Sequence, residues 1–396
     1  MKVLVIDAFS AAHLEELKKL GLEVDYRPQL KAEELAQTIG GASIVVARST
    51  KVTGEAIEKA DALQLIVRAG AGVNTIDLKA ASARAIYVAN TPGKNAIAVA
   101  ELTLGLILAI DRRIPDAVAD LRAGKWNKKD YGQADGLFGR TIGIVGLGAI
   151  GREVAKRARG FGMKVVGWSR SLDDAKAETL GLRRMASVAE LCAQSDVVTV
   201  HCAFSADTKE LISADAIGRM KKGATFINTS RAELVDLRAL DRAIAEKDLR
   251  VGLDVFEKEP AGGAGAFEDP IVKHARVIGT HHIGASTEQA QNAVADETVR
   301  IIRTFLEGGA LSSVVNIAKG SKAACQVVVR HYDRVGVLAE VLGAIRRHDI
   351  NVEEMENTIF DGAKAASAKI RLSARPSAEL VAELSRSEAI IHVEVV

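Results

Sequence analysis

The stretch TIGIVGLGAIG, residues 141–151, decides the fold. TIGIV is β-branched and apolar, the composition of a buried strand. It runs into Gly146, Gly148 and Gly151 at G-x-G-x-x-G spacing, then into Ile150, Val154, Ala158 and Phe161 at helical intervals. Strand, glycine turn and helix in that order make a phosphate cradle. The first glycine allows a tight turn, and the second lets the backbone approach a pyrophosphate. The third lets helix and strand pack closely, and the free N–H groups at Ala149 and Ile150 face the anion.

The flanking sequence repeats the strand–helix alternation. VLVIDA, LEVDYR, ASIVVARS and LQLIVRAG read as strands, separated by the helical SAAHLEELKKL, KAEELAQTIG and TGEAIEKA. After the glycine turn come MKVVGWSR, SDVVTVH, GATFINTS, RVGLDVF and ARVIGT. Short strands with near-continuous hydrophobicity belong to parallel sheets covered on both faces. The sequence therefore predicts an α/β protein with two doubly wound parallel-sheet domains, Rossmann-like and flavodoxin-like. A helix over TEQAQNAVADETVRIIRTFLEGG ends at Gly308 and Gly309, and AKGSKAA, 318–324, reads as a linker. Beyond it the order is βαββαβ, from CQVVVRHYD to IIHVEVV, a ferredoxin-like domain over 323–396. The expected division gives residues 1–94 and 287–317 to a substrate-binding domain and 95–286 to the dinucleotide-binding domain.

Composition excludes several classes. The 396 residues carry a formal charge of +2 and no basic block, which argues against a nucleic-acid partner. Three scattered cysteines, Cys192, Cys202 and Cys325, suit neither a disulfide framework nor a metal site, and fit a reducing, cytoplasmic setting. MKVLVIDAF lacks the apolar core and cleavage site of a signal peptide. AIAVAELTLGLILAI, 96–110, contains Glu101 and is shorter than a membrane span, so no membrane partner is expected.

A dinucleotide site with NAD places an acid about 20 residues after the glycines, on the ribose hydroxyls. Here Ser169 and Arg170 stand at that point, with Asp173 and Asp174 a little beyond. Either NAD is held without the acid, or Arg170 accommodates the 2′-phosphate of NADP.

Hydride exchange with a 2-hydroxy acid needs a cation on the carboxylate, an acid–base group, and a partner that orients that group. Arg231 in NTSRAELVD, Glu259 in DVFEKEP and the histidines of GTHHIGAST follow three strands, where α/β sheets collect ligands. Arginine grips a carboxylate bidentately, and a carboxylate orients an imidazole.

RAGAGVNTID, NTPGKNAIAVAELT, GKW, GRTIGIVGLGAIGREVA, FGMKVVG, GLDVFEKEP and HIGAST together resemble the D-isomer-specific 2-hydroxyacid dehydrogenase family over almost the whole chain. The resemblance implies that Arg231, Glu259 and His282 form the catalytic triad and that Asp254 binds the nicotinamide amide. It implies substrate contacts at Arg48, Ser49, Arg68 and Asn95. It implies that Trp126 reaches a neighbouring subunit's site, with a homodimer or homotetramer assembled through the region Ala96 to Trp126. His281 stands where the family usually has proline, either as a rim spectator or as a perturber of its neighbour. Ala232 replaces a common glycine. The tail resembles an ACT domain, with His331, Asp333 and Asn351 at effector positions for L-serine or another amino acid; the module serves regulation or assembly. The activity implied is NAD(P)-dependent oxidation of 3-phospho-D-glycerate to 3-phosphohydroxypyruvate, the entry to serine. The alternatives are an NADPH-dependent glyoxylate or hydroxypyruvate reductase, another 2-hydroxyacid dehydrogenase, and an NAD(H)-sensing binding protein.

Overall fold

The computed structural model describes all residues except 261–263, 312, 319 and 321. The expected linker and the end of the expected substrate-binding segment thus fall partly outside the described residues. The chain forms two compact units, Met1–Asn316 and Ile317–Val396.

The first unit holds two parallel sheets. One comprises β1 (Lys2–Val5), β2 (Glu23–Tyr26), β3 (Ile44–Ala47), β4 (Leu65–Arg68) and β5 (Tyr87–Asn90), in the order β2-β1-β3-β4-β5. Side chains alternate between its faces. Leu4, Val45, Ile66 and Val88 enter one apolar cluster. Val3, Val5, Ile44, Leu65 and Val67 enter the other, which Val299, Ile301 and Ile302 of the helix Glu288–Leu306 complete. Both faces are covered, as the β-branched runs require.

The other sheet comprises β6 (Thr141–Val145), β7 (Lys164–Trp168), β8 (Arg183–Arg184), β9 (Val197–Val200), β10 (Thr225–Asn228), β11 (Arg250–Leu253) and β12 (Val277–Gly279). Its order is β12-β11-β10-β9-β6-β7-β8. The winding reverses between β6 and β9, and ligands bind at the carboxyl ends of strands at such a point. The helix Ala96–Asp111 covers one face, contributing Ala100, Leu104, Leu106, Ile107 and Ile110. A Cβ on Gly252 would lie 2.7 Å from Ile227 Cδ1 and 3.2 Å from Ile110 Cδ1, so glycine here sets how closely that helix lies on β11.

One feature escaped the sequence. Residues 313–316 return to the edge of β5: Val314 bridges Ala89 in antiparallel sense, and Val315 N–H donates to Val88 O at 2.8 Å. Asn316 accepts from Val88 N–H and donates to Ile86 O. Val314 and Val315 are too short an apolar run to mark a strand by themselves, and the pairing depends on where the long helix ends.

The second unit is antiparallel, with β13 (Cys325–Tyr332), β14 (Val352–Ile359), β15 (Ala365–Leu372) and β16 (Ile390–Val395) in the order β14-β15-β13-β16. The helices Val337–Arg347 and Ala378–Ser385 cover one face through Val341, Ile345, Leu380 and Leu384. This is the ferredoxin-like arrangement.

Candidate active site

At the end of β6, Gly146 has φ +95°, and a Cβ there would lie 2.6 Å from His201 O. A Cβ on Gly151 would lie 2.0 Å from Gly146 O, so helix and turn touch through backbone. Gly148 differs: a Cβ there meets nothing within 4 Å. It stands at the start of the helix Ala149–Gly160, which has no side-chain cap. Open space beside uncapped N–H groups fits a pyrophosphate.

Arg231 follows β10. Asn228, almost fully buried, holds the bend by donating from Nδ2 to Arg231 O at 2.8 Å. Arg231 Nη1 donates to Ser230 O at 2.6 Å. A Cβ on Gly72 would lie 2.9 Å from Arg231 Nη2, which brings this guanidinium against the loop that follows β4.

Glu259 Oε2 accepts from His282 Nδ1 at 2.7 Å, and its Oε1 accepts from Phe256 N–H at 2.9 Å. Burial pushes the Glu259 carboxyl up, but hydrogen bonds from His282 and the Phe256 amide, with the nearby charges of His282 and Arg231, hold it below its ordinary value. With Nδ1 engaged by a carboxylate, Nε2 is the nitrogen left to exchange a proton with a ligand. His282 has φ +54°, a left-handed backbone that a side chain rarely adopts. The buried Asp254 holds it there. Its Oδ1 accepts from Thr280 Oγ1 at 2.6 Å and from Ile283 N–H at 2.8 Å, and its Oδ2 accepts from Gly284 N–H at 2.8 Å. The sequence reading did not show this role of Asp254, because it depends on three donors brought to one carboxylate.

Across the cleft stand Arg48, after β3, and Arg68, at the end of β4. Asp7 fixes the first loop, accepting from the N–H groups of Arg48, Ser49 and Thr50 at 2.6, 3.0 and 3.2 Å. Burial, with the like charges of Arg231 and Arg48, pushes Arg68 down to about 10, against the opposing charge of Asp7; it stays protonated at neutral pH. Arg68 Nε and Asn95 Oδ1 are buried and have no hydrogen-bond partner among the described residues. Such atoms await a ligand or water. Arg48, Ser49, Arg68, Asn95, Arg231, Glu259 and His282 line one cavity of about 1530 Å³, and His281 lies on its wall.

Ser169 and Arg170 follow β7, beside the glycine turn: Gly146 N–H donates to Trp168 O at 2.8 Å. His201, which follows β9, takes no part in proton exchange. It is buried, its Nε2 lies 2.9 Å from Thr199 Oγ1, and burial pushes it down to about 3, so it is neutral and closed off.

In the second unit the expected effector set is not assembled within one chain. His331 is buried, with Nδ1 2.8 Å from Tyr332 O and Nε2 3.1 Å from Asn357 Oδ1. It pairs with Ala366, at one end of β15. Asn351 lies past the other end, its N–H donating to Ser373 Oγ and its Nδ2 donating to Glu353 Oε1. Asn357, not Asn351, meets His331. The antiparallel register, invisible in residue spacing, decides this. Asp333 N–H donates to Lys364 O at the His331 end.

Residues 104–284 match the model of the D-isomer specific 2-hydroxyacid dehydrogenase NAD-binding domain. The chain is 39% identical over 275 residues to a hydroxypyruvate reductase of Thermotoga maritima, covering 69% of this chain and 88% of that protein. It is 40% identical over 319 residues to a D-3-phosphoglycerate dehydrogenase of Methanocaldococcus jannaschii, covering 80% of this chain and 60% of that one. Among solved structures, an NAD⁺-bound 3-phosphoglycerate dehydrogenase of Entamoeba histolytica superposes with a TM-score of 0.67 at 28% identity, over 81% of this chain and 99% of that one. The chain belongs to the D-isomer specific 2-hydroxyacid dehydrogenase family, and its central domain is the NAD-binding domain of that family. It spans about three fifths of the length of the matched D-3-phosphoglycerate dehydrogenases, 60% in the archaeal case and 63% in the human one. Among the described residues no helix is long and apolar enough to cross a membrane, and no His, Cys, Asp and Glu group is placed to hold a metal ion.

Proposed function

We propose that the chain oxidises 3-phospho-D-glycerate to 3-phosphohydroxypyruvate with NAD, in the cytoplasm, at the entry to serine synthesis. The observation that carries this reading is the His282–Glu259 pair, 2.7 Å apart, in a cavity whose other walls carry three guanidiniums. A substrate with anionic groups at both ends relieves that crowding. Arg231 grips the carboxylate and polarises the carbon–oxygen bond. Arg48, Ser49, Arg68 and Asn95 hold the phosphate, which accepts from the orphaned Arg68 Nε and from the Asn95 side-chain amide N–H. His282 Nε2 takes the hydroxyl proton, and Glu259 keeps the ring aimed and stabilises the imidazolium. Bound NAD supplies the acceptor for the hydride leaving carbon 2. Gly146, Gly148, Ala149, Ile150 and Gly151 hold its pyrophosphate, and Asp254, which keeps an Oδ2 lone pair beyond its loop bonds, receives the nicotinamide amide.

The exposed apolar face of the helix Ile114–Arg122, with Ile114 and Leu121, lies near Trp126 in sequence, and that helix buries no residue. A second copy of this chain is its proposed cover. The second unit is proposed as an ACT-like module binding an amino acid such as L-serine where two copies meet, since one chain keeps His331 and Asn351 apart.

The hydroxypyruvate reductase relative favours a second reading, with hydroxypyruvate itself as substrate. Initial rates of NADH oxidation separate the two. With 3-phosphohydroxypyruvate, kcat/KM exceeds that with hydroxypyruvate by at least about tenfold, the yield of one charge-assisted contact. The His282→Ala variant retains NADH binding and loses about 10²-fold or more in turnover. Equal rates with the two keto acids discard the phosphate reading; an active His282→Ala variant discards the triad.

A further inference from the structure

The His282–Glu259 bond joins two side chains that water can reach, His282 at 45% exposure and Glu259 at 33%. An exposed pair of this kind does little to hold itself together, so its geometry must come from the chain around it. On the His282 side that support is the Asp254 clasp. On the Glu259 side the supports lie in the loop that joins β11 to β12.

Three contacts order that loop. Phe256 N–H donates to Glu259 Oε1 at 2.9 Å. The Phe256 ring meets the Phe267 ring edge to face, with centroids 4.9 Å apart and planes at 63°. A Cβ on Gly265 would lie 3.3 Å from Pro260 Cβ, so the returning limb of the loop also lies against the residue after Glu259. Glu259 therefore sits on an outgoing limb that the returning limb braces both before and after the carboxylate. The Phe256 ring also bears on β12: a Cβ on Gly279 would lie 3.1 Å from Phe256 Cζ. Gly279 ends β12, three residues before His282. Phe256 thus meets both Phe267 and the strand that delivers His282, and its amide holds the carboxylate that His282 meets.

We propose that Phe267 is a positioning residue for the proton relay: it presses Phe256 against Gly279 and so keeps Glu259 in place opposite His282. An edge-to-face aromatic pair holds a definite geometry, where an aliphatic contact would let the loop slide. The inference rests on the reading of His282 and Glu259 as the acid–base pair. Phe267 itself takes no proton.

The test is steady-state reduction, on the full chain with NADH, of whichever keto acid is the better substrate. Phe267→Ala lowers kcat about tenfold and leaves KM and NADH affinity within about twofold, while Phe267→Tyr, which keeps the ring, restores most of the rate. Gly279→Ala pushes the Phe256 ring from the β12 side and lowers kcat in the same way, which keeps the test open if Phe267→Ala does not fold. The decisive arm is a double-mutant cycle with Glu259→Gln. In that background Phe267→Ala costs at most about twofold more, because it acts through the carboxylate already lost. A full loss in the Glu259→Gln background overturns the inference, since the ring then acts on something else. A raised KM with kcat unchanged overturns it too, and makes Phe267 a wall of the substrate pocket. If Glu259→Gln is slow while Phe267→Ala and Gly279→Ala turn over like wild type, the inference alone fails. If Glu259→Gln itself turns over like wild type, the acid–base reading fails and the inference with it.

Discussion

Among single residues, His282 and His201 show how position divides one side chain into two chemistries. His282 is exposed in a cleft, bonded to a carboxylate, and held in a left-handed backbone by Asp254. His201, at the end of β9, is fully enclosed and kept neutral. Its cost appears in acid. The folded value is depressed to about 3 from 6.5, so in that window the unfolded chain binds a proton that the folded chain does not. Stability is therefore complete above pH 6.5 and falls as the pH drops towards 3. By about pH 5 the loss attributable to this one group is about 2 kcal/mol. His201→Gln keeps a donor near Thr199 and removes the titration. Urea unfolding at pH 7 and pH 5 then shows a pH difference smaller by about 2 kcal/mol in the variant than in wild type. Identical differences in the two proteins mean that His201 is hydrated and titrates normally.

At the level of elements, the glycine turn carries the fold and the site together, and its three glycines are not equivalent. Gly151→Ala places a methyl 2.0 Å from the Gly146 carbonyl, so helix and turn must part. The expected result is a loss of about 1–3 kcal/mol of stability and of dinucleotide binding with it. Gly148→Ala meets open space, so the thermal midpoint stays near that of wild type while NADH affinity falls about tenfold or more, the methyl standing where the pyrophosphate comes closest. Thermal unfolding and NADH titration of the two variants distinguish a turn that only folds from one that also binds. This much was legible in the sequence because the constraint is local: strand, spacing and helix are contiguous. The strand-end positions of Arg231, Glu259 and His282 were legible for a similar reason, since each follows a β-branched run. What lay beyond the sequence depends on register or convergence. The placement of Asn357 on His331 needs the β13–β15–β14 pairing. The Asp254 clasp gathers donors from residues 280, 283 and 284. The return of residues 313–316 to β5 has no apolar period of its own.

For the whole molecule, the division at residue 316 separates chemistry from the C-terminal unit. Four apolar clusters belong to Met1–Asn316 and one to Ile317–Val396, with no residue shared. Every residue proposed for hydride transfer, dinucleotide binding and substrate binding lies in the first unit. A chain ending at Asn316 should therefore fold and keep kcat/KM for 3-phosphohydroxypyruvate within about twofold of the full chain, because independent cores add rather than couple. If the second unit is the amino-acid-binding module proposed above, any response to amino acids and its share of assembly are lost with it. A chain ending at residue 310 is a sharper case. It removes the Val315 and Asn316 bonds to β5 and the Leu311 contact with the cluster around Val299. Each lost backbone bond costs about 0.5–1.5 kcal/mol, so this second truncation should unfold at visibly lower urea than the first. If both truncated chains unfold alike, residues 313–316 are ornament on the sheet. If the chain ending at Asn316 is folded yet inactive, the second unit supplies something to catalysis itself, and the separation of chemistry from control fails.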